Sequence, residues 1–357
     1  MNYLLRLLPY VLLAGVWYGN TLSGWWIALG PLTVFGIHPL LDNLIRNKIP
    51  NDDGADSAGF LNSTLYVLPI FITFFLFHGV VRFTTSEILL EKVLLIIGLG
   101  TGTGGLGIVA AHELIHRPIA WQRALGIYLM SLVNYTHFRI EHVHGHHRYV
   151  STPEDPASAP MGMTLYEFLP KTLIGSFKSA WDYEVQRVKR KKGFDRFKSN
   201  RMFHYALYFL VLSIFFGSVF GTQGLVVFYG QSAFAIFLLE VINYIEHYGL
   251  SRSKLPNGAW EPVKEWHSWD CDYAVTNFTL FNIGKHSNHH AKASVEFPHL
   301  ENKEDNPKLS FGYSTAVLLA TVPPLWKWIM DPKVIERRKY IESNSGETQN
   351  IGAFQLT

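Results

Sequence analysis

Apolar positions along this chain come in long blocks. Six of them, at 3–18, 24–45, 64–81, 89–111, 204–219 and 224–244, approach the ~20 residues a helix needs to cross a bilayer. The first and fifth are short enough to be tilted or partly interfacial. The fourth carries Gly98, Gly100, Gly102, Gly104, Gly105 and Gly107; in lipid such small residues let helices approach closely, so the run reads as a packing face. A phosphate-cradling glycine loop would need a preceding strand and a following Lys-Ser or Lys-Thr, and neither is evident. Between the fourth and fifth blocks, 166–190 has the pattern of an amphipathic helix lying at a membrane surface. The block at 312–330 is interrupted by Pro323-Pro324, which predicts a re-entrant or interfacial element rather than a seventh span. The N-terminal block has one Arg and no small-residue cleavage site, so it reads as a retained span. From 343 onward the chain is polar, which predicts a disordered tail behind a single membrane-embedded domain at 1–342. No internal repeat is visible. The expected fold is an all-α integral membrane protein with six transmembrane helices.

Composition agrees with lipid as the solvent. Residues are 48% hydrophobic and only 17% charged, against about 25% charged in a typical soluble domain. The connection between the fourth and fifth blocks holds Lys171, Lys178, Arg187, Lys189, Arg190, Lys191, Lys192, Arg196, Lys198 and Arg201, whereas 19–23 and 221–223 carry no charge. By the positive-inside rule the basic connection is cytoplasmic and both termini lie on that side. The basic run reads as a solvated loop at an anionic lipid surface and not as a nucleic-acid module. The single cysteine, Cys271, excludes an internal disulfide, a Cys-rich zinc module and a fused Cys₄ iron site.

Sixteen histidines are many for so apolar a chain. His112 and His116 close the fourth block, and His142, His146 and His147 follow in Glu-His-Val-His-Gly-His-His. His247 ends the sixth block, and His286, His289 and His290 come in Lys-His-Ser-Asn-His-His. The loop charges, which were read without histidine, put all four groups on the cytoplasmic face. Residues four apart share a helix face, so two imidazoles can converge on one ion. A pair three apart does so similarly, while an adjacent histidine points about 100° away and can serve a second ion. Such imidazole-rich cages suit iron, zinc, copper or nickel. The stretch from His112 to His116 also matches the zinc-protease pattern His-Glu-x-x-His, but a protease does not need seven further clustered histidines.

A ligating imidazole usually gives its other N–H to a carboxylate or carbonyl, which fixes its tautomer. Glu113, Glu141 and Glu246 are each adjacent to a motif histidine, and Asp155 lies just beyond the second motif, so these four are the candidate orienting carboxylates. His38, His78 and His204 read as structural; His137, His144 and His267 are near enough to be spare ligands or supports.

The motifs are similar to those of the bacterial membrane alkane 1-monooxygenases, within the wider group of histidine-rich membrane hydroxylases and desaturases. His-x-x-x-His, His-x-x-x-His-His and His-x-x-His-His are shared across that group. The stretch Asn243-Tyr244-Ile245-Glu246-His247-Tyr248-Gly249 resembles the alkane hydroxylases in particular. Weaker matches are Thr152-Pro153 with Asp155-Pro156-Ala157, His267-Ser268-Trp269, Met330-Asp331-Pro332-Lys333-Val334, and Pro39-Leu40-Leu41-Asp42. Ile283-Gly284-Lys285 departs from the family's usual Leu-Gln-Arg, as does 294–300 from its Tyr-containing stretch. The resemblance implies six helices and a cytoplasmic centre of two iron ions held by His112, His116, His142, His146, His147, His247, His286, His289 and His290. It further implies O₂ as co-substrate, terminal hydroxylation of an alkyl chain, and electrons from rubredoxin and its reductase, in a bacterial inner membrane. It places Val34 where a second-span residue limits how far the alkyl chain extends. The rival reactions on the same centre are acyl-chain desaturation and oxidation of an aromatic methyl group. A non-catalytic transporter or metal-binding protein is the rival of another class; ionisable residues in the membrane mark most transport paths, and here they are few, with Glu240 inside and Asp42 and Glu91 near span ends.

Overall fold

A computed structural model describes residues 3–45 and 58–345, and among these the regular structure is helical, with two isolated bridges and no strand. A short 3₁₀ turn leads into α1 (Leu8–Thr21), whose Pro9 sits in the first turn where a missing N–H costs nothing. Then come α2 (Gly24–Ile45), α3 (Ala58–Thr85) and α4 (Leu89–Ile115). Both α2 and α4 contain a π-helical segment, at Thr33–Ile37 and Thr103–Ile108. Beyond them lie α5 (Ala120–Leu132), α6 (138–149), α7 (Leu165–Arg187), α8 (Gly193–Ser199) and α9 (Arg201–His247). Short helices α10 (Ala274–Thr279) and α11 (His286–Ala291) precede α12 (Tyr313–Ala320) and α13 (Pro323–Ser345). The tail expected from 343 lies, from 346 on, outside the described residues.

The 47 residues of α9 would extend roughly 70 Å if straight. They do not, because Gly221 takes φ 64° and ψ −158°, a conformation open in practice only to glycine. The Phe216 and Phe228 rings stack with centroids 4.3 Å apart, and the Ser213 and Tyr229 hydroxyls are 2.7 Å apart. The helix is therefore a hairpin with arms 201–220 and 222–247. Its tip joins other turns at one end of the bundle: Lys92 Nζ donates to Gln223 Oε1 at 3.0 Å, Gly24 N to Glu91 Oε1 at 2.6 Å, and Arg82 Nε to the Asn20 carbonyl at 3.0 Å. The opposite end holds all the histidine motifs. Among the described residues the chain passes between these ends six times: α1 to α4, then the two arms.

By length and apolarity, four helices can each cross a bilayer: α2, α3, α4 and α9. Their outward positions are apolar too, with Phe74, Leu89, Leu207, Ile214 and Val219 all exposed. A soluble protein rarely exposes so much contiguous apolar surface, so lipid is the fitting solvent. Inward, Leu65, Phe75, Leu99, Leu114 and Phe228 form the core of the bundle.

A second core lies under the histidine end, where Tyr244 of α9 and Tyr248 just beyond it meet Trp326, Met330 and Val334 of α13. The Tyr248 hydroxyl donates to Asp331 Oδ1 at 2.6 Å, and Arg338 donates to the Gly249 carbonyl. The apolar block at 312–330 is thus spent on covering the end of α9, split between α12 and α13. In α7 a capping box of Thr164 and Glu167 starts the helix. Phe168, Thr172, Ser176, Ala180 and Glu184, four apart, form its buried face, while Tyr166, Ile174 and Phe177 stay exposed. Glu184 takes Arg187 and Arg201 together and fixes the corner into α9. Asp42, at the end of α2, accepts from Thr276 N at 3.1 Å and Thr276 Oγ1 at 2.6 Å. That ties α2 to the segment leading into the last histidine motif.

Candidate metal centre

The four motifs converge at one end of the bundle and sort into two groups. His112, His116, His142, His147 and His289 form one, and His146, His247, His286 and His290 the other; in each, one ligand atom per residue lies within 4.8 Å of all the rest. Adjacent histidines part company, as the 100° step predicts: His146 from His147, and His289 from His290.

Spacing alone fails at two places. His142 and His146, four apart, were expected to share an ion, but they fall in different groups, and His142 joins His147 instead. The reason is local: His142–His146 is a π turn, so the wider spiral brings the residue five along into register. In α11, His286 pairs with His290 at i+4, while His289 at i+3 turns to the five-histidine group. A six-residue helix meeting two groups divides its histidines between its faces.

The donor atoms fit cations. His112, His116, His146 and His289 each have a buried Nε2 with no hydrogen-bond partner, the Nε2 atoms of His142 and His147 face each other at 3.0 Å, and those of His286 and His290 do so at 2.9 Å. Unsatisfied buried nitrogens are costly unless something fills the site. Burial, with other imidazoles nearby, pushes the pKa of His116, His142, His147, His286 and His290 well below the ordinary value, and burial brings His289 to about 3. Neutral imidazole is the form that ligates a metal.

The four candidate carboxylates take different posts. Asp155 accepts from His146 Nδ1 at 2.8 Å and is itself held by Ser158 Oγ at 2.6 Å and Ala157 N at 3.0 Å. Glu246 turns away from its neighbour His247: one oxygen lies 3.1 Å from His286 Nε2, and the other accepts from the Tyr313 hydroxyl at 2.6 Å. Glu141 is buried beside the π turn and accepts from the His146 backbone N–H. Glu113 binds Arg117 at 2.7 Å and the Phe297 backbone N–H at 3.2 Å, so it braces the loop after the last motif. Residue 113 must point about 100° from His112; sequence adjacency places a carboxylate beside a ligand's backbone, not its ring.

Other supports come from residues to which the sequence reading gave no such task. His247 Nδ1 lies 3.4 Å from the His267 carbonyl and 3.3 Å from Ser268 Oγ. Asp270 accepts from Ser287 N at 2.7 Å and holds the start of α11. The first support comes from the His267-Ser268-Trp269 stretch, which motif resemblance marked without assigning a task, and Asp270 directly follows it. His267 itself faces Glu261 at 3.4 Å. His144 stacks on Tyr183, His137 meets Tyr135 edge to face, and His204 bonds the Lys198 carbonyl. His38 lies between Thr279 Oγ1 at 3.2 Å and Asp42 at 3.5 Å.

An apolar cavity of about 120 Å³ runs through the bundle to this centre. Leu12, Val16, Val34, Phe35, Thr101 and Leu106 are among its walls, and His112, His142, His286 and Glu246 close it. Two histidine groups thus meet the end of one apolar space.

Residues 92–308 match the fatty acid desaturase family. Helical passes with a histidine cage at one end place the chain among the membrane-bound proteins of that class. Comparison with individual relatives goes further. The chain is 40% identical over 312 residues to alkane 1-monooxygenase 1 of Pseudomonas aeruginosa, covering 85% of this chain and 81% of the relative. It is 36% identical to alkane 1-monooxygenase 2 of Alcanivorax borkumensis, covering 92% and 87%. To the xylene/toluene monooxygenase hydroxylase component XylM of Pseudomonas putida it is 28% identical, covering 91% and 85%. The chain belongs to the alkane 1-monooxygenase family.

Proposed function

We propose that this protein hydroxylates the terminal carbon of medium- to long-chain alkanes to primary alcohols with O₂, holding one iron ion in each histidine group. The observation that carries this reading is the apolar cavity ending on His112, His142, His286 and Glu246, where both groups present themselves. Bound iron supplies the activation of O₂ that an unreactive C–H bond requires. The remaining work falls to the chain. The walls of the cavity exclude water and offer an alkyl chain no polar partner, so its methyl end is delivered to the histidines and its length stays in the bundle. Glu246 stands at that end, held in place by the Tyr313 hydroxyl. Asp155 fixes the His146 ring, and the His267 carbonyl and Ser268 fix His247.

Placing one oxygen atom in the C–H bond and reducing the other to water takes two electrons and two protons. Rubredoxin, reduced by rubredoxin reductase, is the proposed electron source. We place the six passes across the bacterial inner membrane, with the basic connection and the histidine end in the cytoplasm, following the loop charges. Residues 1–342 act as one domain in this reading. The relative named for xylene and toluene favours a second reading, oxidation of an aromatic methyl group. Against it, the cavity is lined from His112 back to Thr101, about 16 Å at the helical rise, which suits a chain better than a ring.

The test is incubation of the iron-loaded protein, with its reductant, under ¹⁸O₂ and a mixture of n-alkanes, fatty acids and xylene. Label in primary alkanols is expected. Label confined to methylbenzyl alcohol, or an unlabelled desaturated acyl product, would overturn the proposal.

A further inference from the structure

We infer that Gly105 sets how deep an alkyl chain can enter the cavity, a reading that rests on the function proposed above. Gly105 lies in the π segment of α4 and, with Gly102 and Gly104, lines the cavity. The three differ in what a side chain would meet. A Cβ at Gly102 would fall 2.4 Å from the Phe75 ring, and one at Gly104 only 2.9 Å from the Ala235 backbone. Those two glycines are needed for close packing. A Cβ at Gly105 meets nothing within 4 Å.

The open direction is the cavity. Thr101, Gly105, Val109 and His112 follow one another along α4, and all four residues are cavity walls. His112 is buried and its Nε2 has no protein partner. Gly105 is seven positions before His112, so it stands about 10 Å back along the helix. Thr101, Leu12 and Val16 mark the space further from the histidines. A side chain at 105 would therefore divide the cavity without touching the ligands. Glycine here keeps the distal half connected to the reacting end, which makes this position, on α4, a determinant of chain length separate from Val34 on α2.

The experiment compares wild type with Gly105→Ala, Gly105→Leu and, as a packing control, Gly104→Ala. Two series are read over n-alkanes of increasing length. One is hydroxylation rate in the iron-loaded enzyme. The other is stabilisation of the metal-free protein against thermal unfolding in nanodiscs, where lipid partition of each alkane is common to all variants. Gly105→Leu should fold and keep the short alkanes, but lose about tenfold or more for the longest in both series, since added bulk meets a filled cavity. Gly105→Ala should shift the limit less, and Gly104→Ala should lower thermal stability. A folded Gly105→Leu with the wild-type length profile in both series overturns the inference. So does a Gly105→Leu that fails to fold, because it would show the space at 105 is not open. Should wild type bind alkanes without hydroxylating them, the functional proposal fails while the binding series still decides the role of Gly105.

Discussion

The two histidine groups are built differently. The group of four is wholly buried, and two of its rings are held at Nδ1 by the chain, His146 by Asp155 and His247 by the His267 carbonyl and Ser268, while Glu246 lies 3.1 Å from the His286 Nε2 that faces His247 and His290. The group of five includes the half-buried His116 and His147 and relies on helical register, one turn of α4 and one π turn of α6. In one group hydrogen bonds orient two rings, and in the other the backbone sets their positions. Asp155 places a carboxylate against a ring of the group of four, so two ions held there would differ in electronic surroundings although both have imidazole neighbours. The cavity reaches members of both groups, His112 and His142 from one and His286 from the other.

That contrast can be broken in graded steps. The largest effect should come from a ligand itself. His247→Ala leaves three imidazoles in the smaller group and should lower activity by about 100-fold or more, since even supporting partners are worth 10–100-fold; activity within a few fold of wild type would show that His247 is not a ligand. Next is Asp155→Asn, which should weaken metal binding at the four-histidine group about 10–100-fold and leave the five-histidine group alone. Metal titration of the variant reads this, and equal weakening of both groups would remove the distinction. Glu113→Gln should instead preserve metal affinity and cost about 1–3 kcal/mol of stability, because buried Arg117 loses a charged partner. Val34→Trp should move the preferred alkane toward shorter chains without altering metal content, as added bulk in a packed wall has little slack. An unchanged length profile in the folded, metal-loaded variant would clear Val34.

The smallest effect is a pH slope. In the folded chain His289 is depressed from 6.5 to about 3, with His142, His147 and His290 also lowered by burial. Below pH 6.5 the unfolded chain therefore binds more protons than the folded one, and stability falls as pH drops. Denaturant unfolding of the metal-free protein between pH 7.5 and 5.5, values of about that range being set by the unfolded histidine pKa, should show this decline. A flat profile would contradict the burial of neutral rings.

What could be read in the sequence followed physical rules that act locally. The nine histidines stand in short motifs, and apolar blocks need only composition. The sharing of His142 with His147 was hidden because nothing in Glu-His-Val-His-Gly-His-His announces a π turn. Glu113 and Glu246 were placed by adjacency, yet a helix turns each neighbour away from the next, one toward Arg117 and the other toward Tyr313 and His286. Asp155, which holds the outer nitrogen of the His146 ring, comes from a turn. Tyr313 and the His267 carbonyl are distant in sequence from every ring they serve, so only tertiary contact could reveal them.

The most direct test is iron stoichiometry of the purified protein, with Mössbauer spectroscopy to separate the sites. Wild type should hold two iron ions per chain in two distinguishable environments, and His247→Ala should lose the signal of one while retaining the other. A single iron in wild type, stoichiometric zinc in active protein, or loss of both ions together with intact fold in His247→Ala would contradict a centre made of two separately built histidine groups.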